Sequence, residues 1–167
     1  GLVASRQVGP TVADDIQKTA VWAVLFSLLG IFIYLLVRFN KWQYSLGAVA
    51  AVIHDAVIVM GVFSLFNGIL PFSLEVDQAF VAAILTVIGY SLNDTVVVYD
   101  RIREFFGSKS HAKMNKFQIL DSALNQTLGR TFNTSMTTLV VLTVIFLFGG
   151  EVIRGFVFAI LVGILVG

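Results

Sequence analysis

The sequence predicts an all-α protein, a polytopic membrane bundle of about five transmembrane helices. Apolar residues make up 57% of its 167 residues and charged residues 13%, against about 25% charged in a typical soluble domain. No charged residue occurs at 21–34, 56–74 or 131–150, and such uncharged apolar runs are typical of membrane spans. Because backbone amides inside a bilayer must be satisfied within the protein, these runs are expected to be helices.

The same composition argues against a soluble enzyme, a nucleic-acid-binding protein and a disordered linker. The net charge of +1 offers no polybasic surface for nucleic acid. The absence of cysteine excludes disulfides, cysteine nucleophiles and thiolate metal sites. No Gly-rich phosphate loop, HExxH or Gly-x-Ser-x-Gly motif is present. We therefore expect a membrane protein that is not an enzyme and that holds neither a cofactor nor a metal.

The apolar runs divide the chain into five predicted spans. We place residues 1–19 at the end of an external region and residues 20–167 in a transmembrane domain. The spans are expected at residues 20–37, 45–66, 78–99 and 131–148, followed by an apolar run at 152–167. The last run is shorter than the roughly 20 residues that a spanning helix needs. Together with the initial glycine, it leads us to expect a segment of a longer protein.

The most polar stretch of the chain, residues 100–130, is predicted to form a loop and an amphipathic helix. Phe117, Leu120, Leu124 and Leu128 recur at helical spacing on one face, after a possible cap at Asn115. A helix with one apolar face is expected to lie on the membrane surface. The alternative is a short helix that packs on the bundle.

The distribution of lysine and arginine predicts the orientation in the membrane. Successive connections alternate sides, and the side rich in Lys and Arg is expected to face the cytoplasm. One side carries eight of these residues: Arg38, Lys41, Arg101, Arg103, Lys109, Lys113, Lys116 and Arg130. The other side carries Arg6, Lys18 and Arg154. Loop 100–130 is therefore expected in the cytoplasm, and residues 1–19 and 67–77 outside.

Two ionisable residues, Asp94 and Arg130, fall inside or at the end of predicted spans at similar depth. An ionisable group in a membrane is costly and is by default a functional candidate. Arginine keeps its charge and needs a carboxylate, water or lipid phosphate, so Asp94 is its expected partner. We predict a proton-coupling pair, because membrane carboxyl groups serve as proton relays in pumps. The alternative is a pair that only fixes helix register.

His54 and Asp55 form a second ionisable pair, in the second span. Adjacent side chains leave a helix about 100° apart, so we do not expect them to face each other. Asp55 is expected to face Asp94 or a partner subunit, and His54 to shuttle a proton or bind a backbone carbonyl. Polar residues that support the Asp94 site by joining helices or lining a wet path are Asn93, Thr131, Thr134 and Thr138.

Two membrane aspartates also raise the hypothesis of an intramembrane aspartyl protease, in which two carboxyl groups share a proton. Proteases of this class carry a Tyr-Asp motif and a Gly-x-Gly-Asp motif, each within a membrane span. Here Tyr99-Asp100 lies at the end of a span, and Asp94 follows Ser-Leu-Asn. The mismatch argues against a protease.

Four motifs resemble the SecF family, the smaller half of the bacterial SecD–SecF accessory complex of the protein-export translocon. They are Val8-Gly9-Pro10, His54-Asp55, the sixteen residues from Gly89 to Glu104, and the stretch from Thr127 to Ser135. The resemblance implies a half of six spans, related to resistance–nodulation–division transporters, of which this chain holds spans two to six. It also implies the bacterial cytoplasmic (inner) membrane as location, with SecD (separate or fused), the Sec translocon channel and a translocating preprotein as partners.

The resemblance further implies that the proton-motive force drives export and that Asp94 and Arg130 are the intramembrane residues linked to proton passage. His54 and Asp55 match the family's polar pair in the second span. In the mechanism that we expect, a proton from outside neutralises Asp94, breaks its pair with Arg130 and lets the bundle move against SecD. The alternatives are a proton-coupled exporter of small molecules or lipids and a structural scaffold.

Overall fold

The computed structural model describes residues 10–108 and 114–167, and the regular structure within these ranges is entirely α-helical. The five helices are α1 (Pro10–Phe39), α2 (Trp42–Phe66), α3 (Gln78–Gly107), α4 (Lys116–Phe148) and α5 (Glu151–Val166). Sequence predictions on residues 1–9, Lys109 and Lys113 lie outside the described residues. The all-α membrane architecture is thus confirmed.

Four helices in the described part of the chain are long and apolar enough to cross a membrane. They are Lys18–Phe39 within α1, and α2, α3 and α4 at full length. The fifth predicted span corresponds to α5, a 16-residue apolar helix. Helix α1 begins at Pro10, so the described part of the predicted external region continues directly into the first span.

Helices α3 and α4 extend well beyond the spans predicted for them. At 1.5 Å per residue, their 30 and 33 residues correspond to about 45 and 50 Å, against a hydrocarbon core of about 30 Å. The α3–α4 hairpin therefore continues past the membrane by several turns. There, Ile119 and Ala123 of α4 pack against Ile102 and Phe105 of α3.

The prediction of a separate surface helix near residues 117–128 is wrong, because these residues form the first turns of α4. Only Gly129 interrupts the helix-forming sequence there, and one glycine costs about 1 kcal/mol without ending a helix. The cap is confirmed, since Asn115 and Gln118 exchange side-chain hydrogen bonds of 2.9 and 3.0 Å with each other's backbone N–H. The predicted apolar face points away from the bundle, with Phe117 83% exposed, and the contacts with α3 are made by Ile119 and Ala123 instead.

The main core lies between α2, α3 and α5. Val59, Val87 and Ala159, one from each helix, are almost fully buried there. The α3–α5 approach depends on Gly163, where an added methyl group would overlap the side chain of Val87. Small residues permit such close contact between membrane helices. Helix α1 packs on α2, and α4 packs on α3 and α5.

Candidate functional site

Asp94 lies half-buried on α3, on the side of that helix that meets α4. The guanidinium of Arg130, on α4, is close enough for its charge to act on the Asp94 carboxyl group. The two side chains are not in contact, however. Among residues 10–108 and 114–167, the ion pairs within 4.0 Å are Arg38–Asp100, His54–Asp55 and Arg101–Glu104. The arrangement is therefore an acid and a cation on facing helices, separated by a gap.

A hydrogen bond joins α3 and α4 beside this acid and cation. The Tyr90 hydroxyl, one turn before Asp94, donates to Thr138 Oγ1 at 3.4 Å. Thr138 in turn donates to the Thr134 carbonyl at 3.0 Å, and Thr134 to the Arg130 carbonyl at 2.8 Å. These threonines satisfy their hydroxyls on their own helix, a common arrangement for Thr in helices. Only Thr138 of this series also reaches α3 through a hydrogen bond.

Two other supporting residues of the sequence analysis are the immediate neighbours of Asp94 and Arg130 in the chain. Asn93 is exposed on α3, next to Asp94, and Thr131 is half-buried on α4, next to Arg130. Their exposure in an isolated chain leaves them available to a neighbouring helix or to water. Asn93, Thr131 and Thr134 therefore lie within about one helical turn of Asp94 or Arg130 along the chain.

Asp55 forms a second polar site, between α2 and α3. Its carboxyl group is buried and accepts a 2.6 Å hydrogen bond from the Ser91 hydroxyl. Gly167, after α5, lies beside this site, because a methyl group added there would lie 2.9 Å from Asp55 Oδ2. Asp55 thus faces Ser91, rather than forming a carboxylate pair with Asp94.

The expectation that His54 and Asp55 do not face each other is wrong. His54 Nδ1 lies 3.1 Å from Asp55 Oδ1. The 100° separation applies to the bonds that leave the backbone, and the imidazole rotates back across that angle to reach its neighbour. The two side chains differ sharply in exposure, at 65% for His54 and 6% for Asp55. His54 therefore connects a buried carboxyl group to the outer surface of the bundle.

Ser91 is a residue of this site that the sequence analysis did not identify. Its hydroxyl donates to the Asp55 carboxyl group. The available signal was its place three residues before Asp94, inside an otherwise apolar span. The described residues contain no group of three or more His, Cys, Asp or Glu side chains that could hold a metal ion.

Comparison with known proteins gives consistent matches over almost the whole chain. The family "Protein export membrane protein SecD/SecF, C-terminal" matches residues 2–167. The chain is 52% identical to "Protein translocase subunit SecF" of Rhodothermus marinus, covering 99% of this chain and 53% of that protein. It is 47% identical to "Protein translocase subunit SecDF" of Brucella abortus, covering 95% of this chain and 20% of that protein.

A solved structure agrees with these sequence matches. The "Crystal structure of SecDF in Super-membrane-facing form" superposes with a TM-score of 0.79 at 39% identity, covering 95% of this chain and 20% of that one. The chain spans about half the length of the SecF relatives that it matches. The shared fold therefore concerns the membrane domain.

Proposed function

Because this chain belongs to the SecD/SecF family of protein-export membrane proteins, we propose that it acts within an accessory subunit of the Sec translocase. The subunit uses the proton-motive force to promote preprotein export across the bacterial cytoplasmic membrane. It catalyses no chemical reaction, and protons are its coupling ion. Its partners are SecD (as a separate or fused half), the Sec channel and the preprotein in transit.

The observation that carries this proposal is the Asp94–Arg130 gap in a membrane-spanning bundle. Asp94 and Arg130 lie on facing helices without an ion-pair contact, so a movement of α3 against α4 changes the attraction between their side chains. When Asp94 is ionised, Arg130 draws the two helices together. When a proton neutralises Asp94, that attraction is lost and the contact loosens.

The membrane potential is large enough to drive such a two-state change. One elementary charge that crosses 100 mV releases about 2.3 kcal/mol. The two conformations of a protein that switches between two states differ in free energy by a few kcal/mol. The energy of one proton is therefore enough to shift the balance between them. Thr134 and Thr131, which lie between Thr138 and Arg130 on α4, provide the polar surface along which the proton leaves toward residues 100–130, the end of the bundle that we propose to be cytoplasmic.

Asp55 and His54 form a second proton-coupling site in this proposal. Asp55 is buried and bound to Ser91, while His54 is exposed on the surface of the bundle. A proton that reaches Asp55 therefore passes by way of the imidazole. Ser91 and Asp94 lie three residues apart on α3, so both sites act on the same helix.

The experiment that tests the proposal measures secretion of a reporter preprotein, with and without a proton gradient, in cells that make the full-length protein. Asp94→Asn is expected to abolish the gradient-dependent part of secretion and to leave the level of the complex in the membrane unchanged. Asp121→Asn is the matched control, because Asp121 is an exposed acid on α4, away from the gap. Full gradient-dependent secretion with Asp94→Asn would refute the coupling role and would favour a scaffold.

A further inference from the structure

Two arginines from different helices meet where α1 ends. The chain turns there at Asn40, whose φ of 56° lies in the left-handed region. Arg38, in the last turn of α1, donates from Nη2 to Asp100 Oδ2 at 2.8 Å. Arg103, on α3, donates from Nη1 to the Arg38 carbonyl at 3.1 Å. Both guanidinium groups are therefore held in place by the fold, each with further N–H groups available.

The start of α2 adds positive charge to the same place. Lys41 is the N-cap residue of α2, and it makes no side-chain cap hydrogen bond. The first turn of α2 carries no acidic residue. The first amides of a helix carry a partial positive charge that favours an anion. Lys41 and the α2 N-terminus thus add to Arg38 and Arg103, while Asp100 offsets part of the Arg38 charge.

This basic cluster, defined as Arg38, Lys41 and Arg103, lies at a membrane boundary. The candidate span of α1 ends at Phe39 and that of α2 begins at Trp42. The Trp42 indole is 57% exposed, and exposed tryptophan is typical of the level of lipid headgroups. Val37, next to Arg38 in the α1 span, and Leu46, in the second turn of the α2 span, are exposed apolar residues. The cluster therefore combines fixed cations with an apolar surface suited to acyl chains.

Arg101 lies near Arg103 on α3, but its side chain is not available to bind an anion. Its guanidinium binds Gln126 and Glu104, and it lies 4.9 Å from the centre of the Phe105 ring. Its donors are thus taken up between α3 and α4. Although Arg101 is only two residues from Arg103, its contacts leave it a structural role.

We propose that the basic cluster binds the headgroup phosphate of an anionic phospholipid. Arg38, Lys41 and Arg103 contact the phosphate, and the acyl chains lie along Val37 and Leu46. Basic sites beside membrane helices are a recognised means of binding anionic headgroups. The site is separate from the Asp94 and Asp55 sites and does not depend on the proposed proton coupling.

The test uses the full-length protein in which Trp42 is left as the single tryptophan, which in this chain requires Trp22→Phe. It is reconstituted in phosphatidylcholine vesicles that contain either brominated phosphatidylglycerol or brominated phosphatidylcholine. Bromine quenches an indole only at close range, so Trp42 fluorescence reports which lipid occupies the neighbouring position. We expect stronger quenching by brominated phosphatidylglycerol at equal mole fraction.

Three variants locate the site. One cation near an anionic headgroup corresponds to about a fivefold change in binding, so Lys41→Gln and Arg103→Gln are each expected to lower the preference for phosphatidylglycerol about fivefold. Lys41→Gln is the safer variant, because Lys41 makes no cap bond that the fold needs. Arg101→Gln removes the same charge at the same end of the bundle and is expected to keep the preference.

Two results would overturn the proposal. One is equal quenching of Trp42 by the two brominated lipids. The other is a loss of preference in Arg101→Gln as large as that in Lys41→Gln, which would reduce the effect to general surface charge. Inorganic phosphate, added as a competitor, is expected to leave the quenching unchanged. Equal quenching by the two lipids, together with binding of inorganic phosphate at the cluster, would assign the cluster to a free anion.

Discussion

The hydrogen bond from Ser91 to Asp55 makes a quantitative prediction about stability. Ser91→Ala removes the hydroxyl that lies 2.6 Å from a buried carboxyl oxygen and leaves the backbone and the neighbouring packing unchanged. Interhelical hydrogen bonds in membrane proteins average about 0.6 kcal/mol, with a maximum near 1.7. Bonds to charged groups are roughly twice as strong as neutral ones. We therefore expect Ser91→Ala to lower the free energy of unfolding by about 1–2 kcal/mol.

The chain offers a matched control for this substitution. Ser45 is also buried in a membrane helix, but its hydroxyl has no hydrogen-bond partner among the described residues. Removal of an unsatisfied buried hydroxyl is nearly neutral or stabilising. Ser45→Ala is therefore expected to leave the free energy of unfolding unchanged or to raise it, although it deletes the same atom from an equally buried position.

The measurement is the free energy of unfolding of the full-length protein in mixed micelles titrated with SDS. A double-mutant cycle with Asp55→Asn adds a second check, because a neutral amide accepts a weaker bond than a carboxylate. In the Asp55→Asn background, Ser91→Ala is expected to cost about half as much. Equal effects of Ser91→Ala and Ser45→Ala would refute the assignment of Ser91 as the residue that holds Asp55.

Two further predictions concern the contacts of α3 with its other neighbours. The methyl group that Gly163→Ala adds would overlap Val87, and like other overpacking changes it is expected to lower the free energy of unfolding by about 1–3 kcal/mol. Val87→Ala is expected to restore the lost stability. Gly89→Ala, whose added methyl group meets open space, serves as the control in the same SDS titration. Tyr90→Phe removes only the hydroxyl that reaches Thr138 and is expected to reduce gradient-dependent secretion while costing no more than about 0.6 kcal/mol of stability. An additive further loss of secretion in Tyr90→Phe with Thr138→Val would contradict action through this bond.

The fold class is well predicted from the sequence, because the fold class of a membrane protein depends on composition and on the length of apolar runs. The positions of the spans are largely confirmed, with α2 ending at Phe66 and α3 beginning at Gln78, as expected. The end of α3 and the start of α4, which lie beyond the predicted spans, are less predictable, because polar residues outside the bilayer neither require nor forbid continued helix. The extension of α3 to Gly107 depends on its packing against α4, a tertiary contact that no local pattern reveals.

The candidate site was predictable in its residue types and only partly in its contacts. Asp94 and Arg130 stand out because ionisable groups are rare in spans, and the structure places them on facing helices. Their separation depends on how α3 and α4 cross, which sequence spacing does not fix. The His54–Asp55 contact depends on a side-chain rotation, and the Ser91 bond on the approach of α2 to α3. Neither contact follows from sequence spacing alone.

Helix α3 is the element through which the two polar sites act on each other. Within little more than one turn it carries Ser91, which binds Asp55 of α2, and Tyr90, which binds Thr138 of α4. Asp94 follows on the same helix, beside the α4 contact. Because a helix moves nearly as a rigid rod, a shift of α3 that changes the Asp94–Arg130 gap also changes the Ser91–Asp55 distance. The protonation of one carboxyl group is therefore expected to alter the environment of the other without any contact between them.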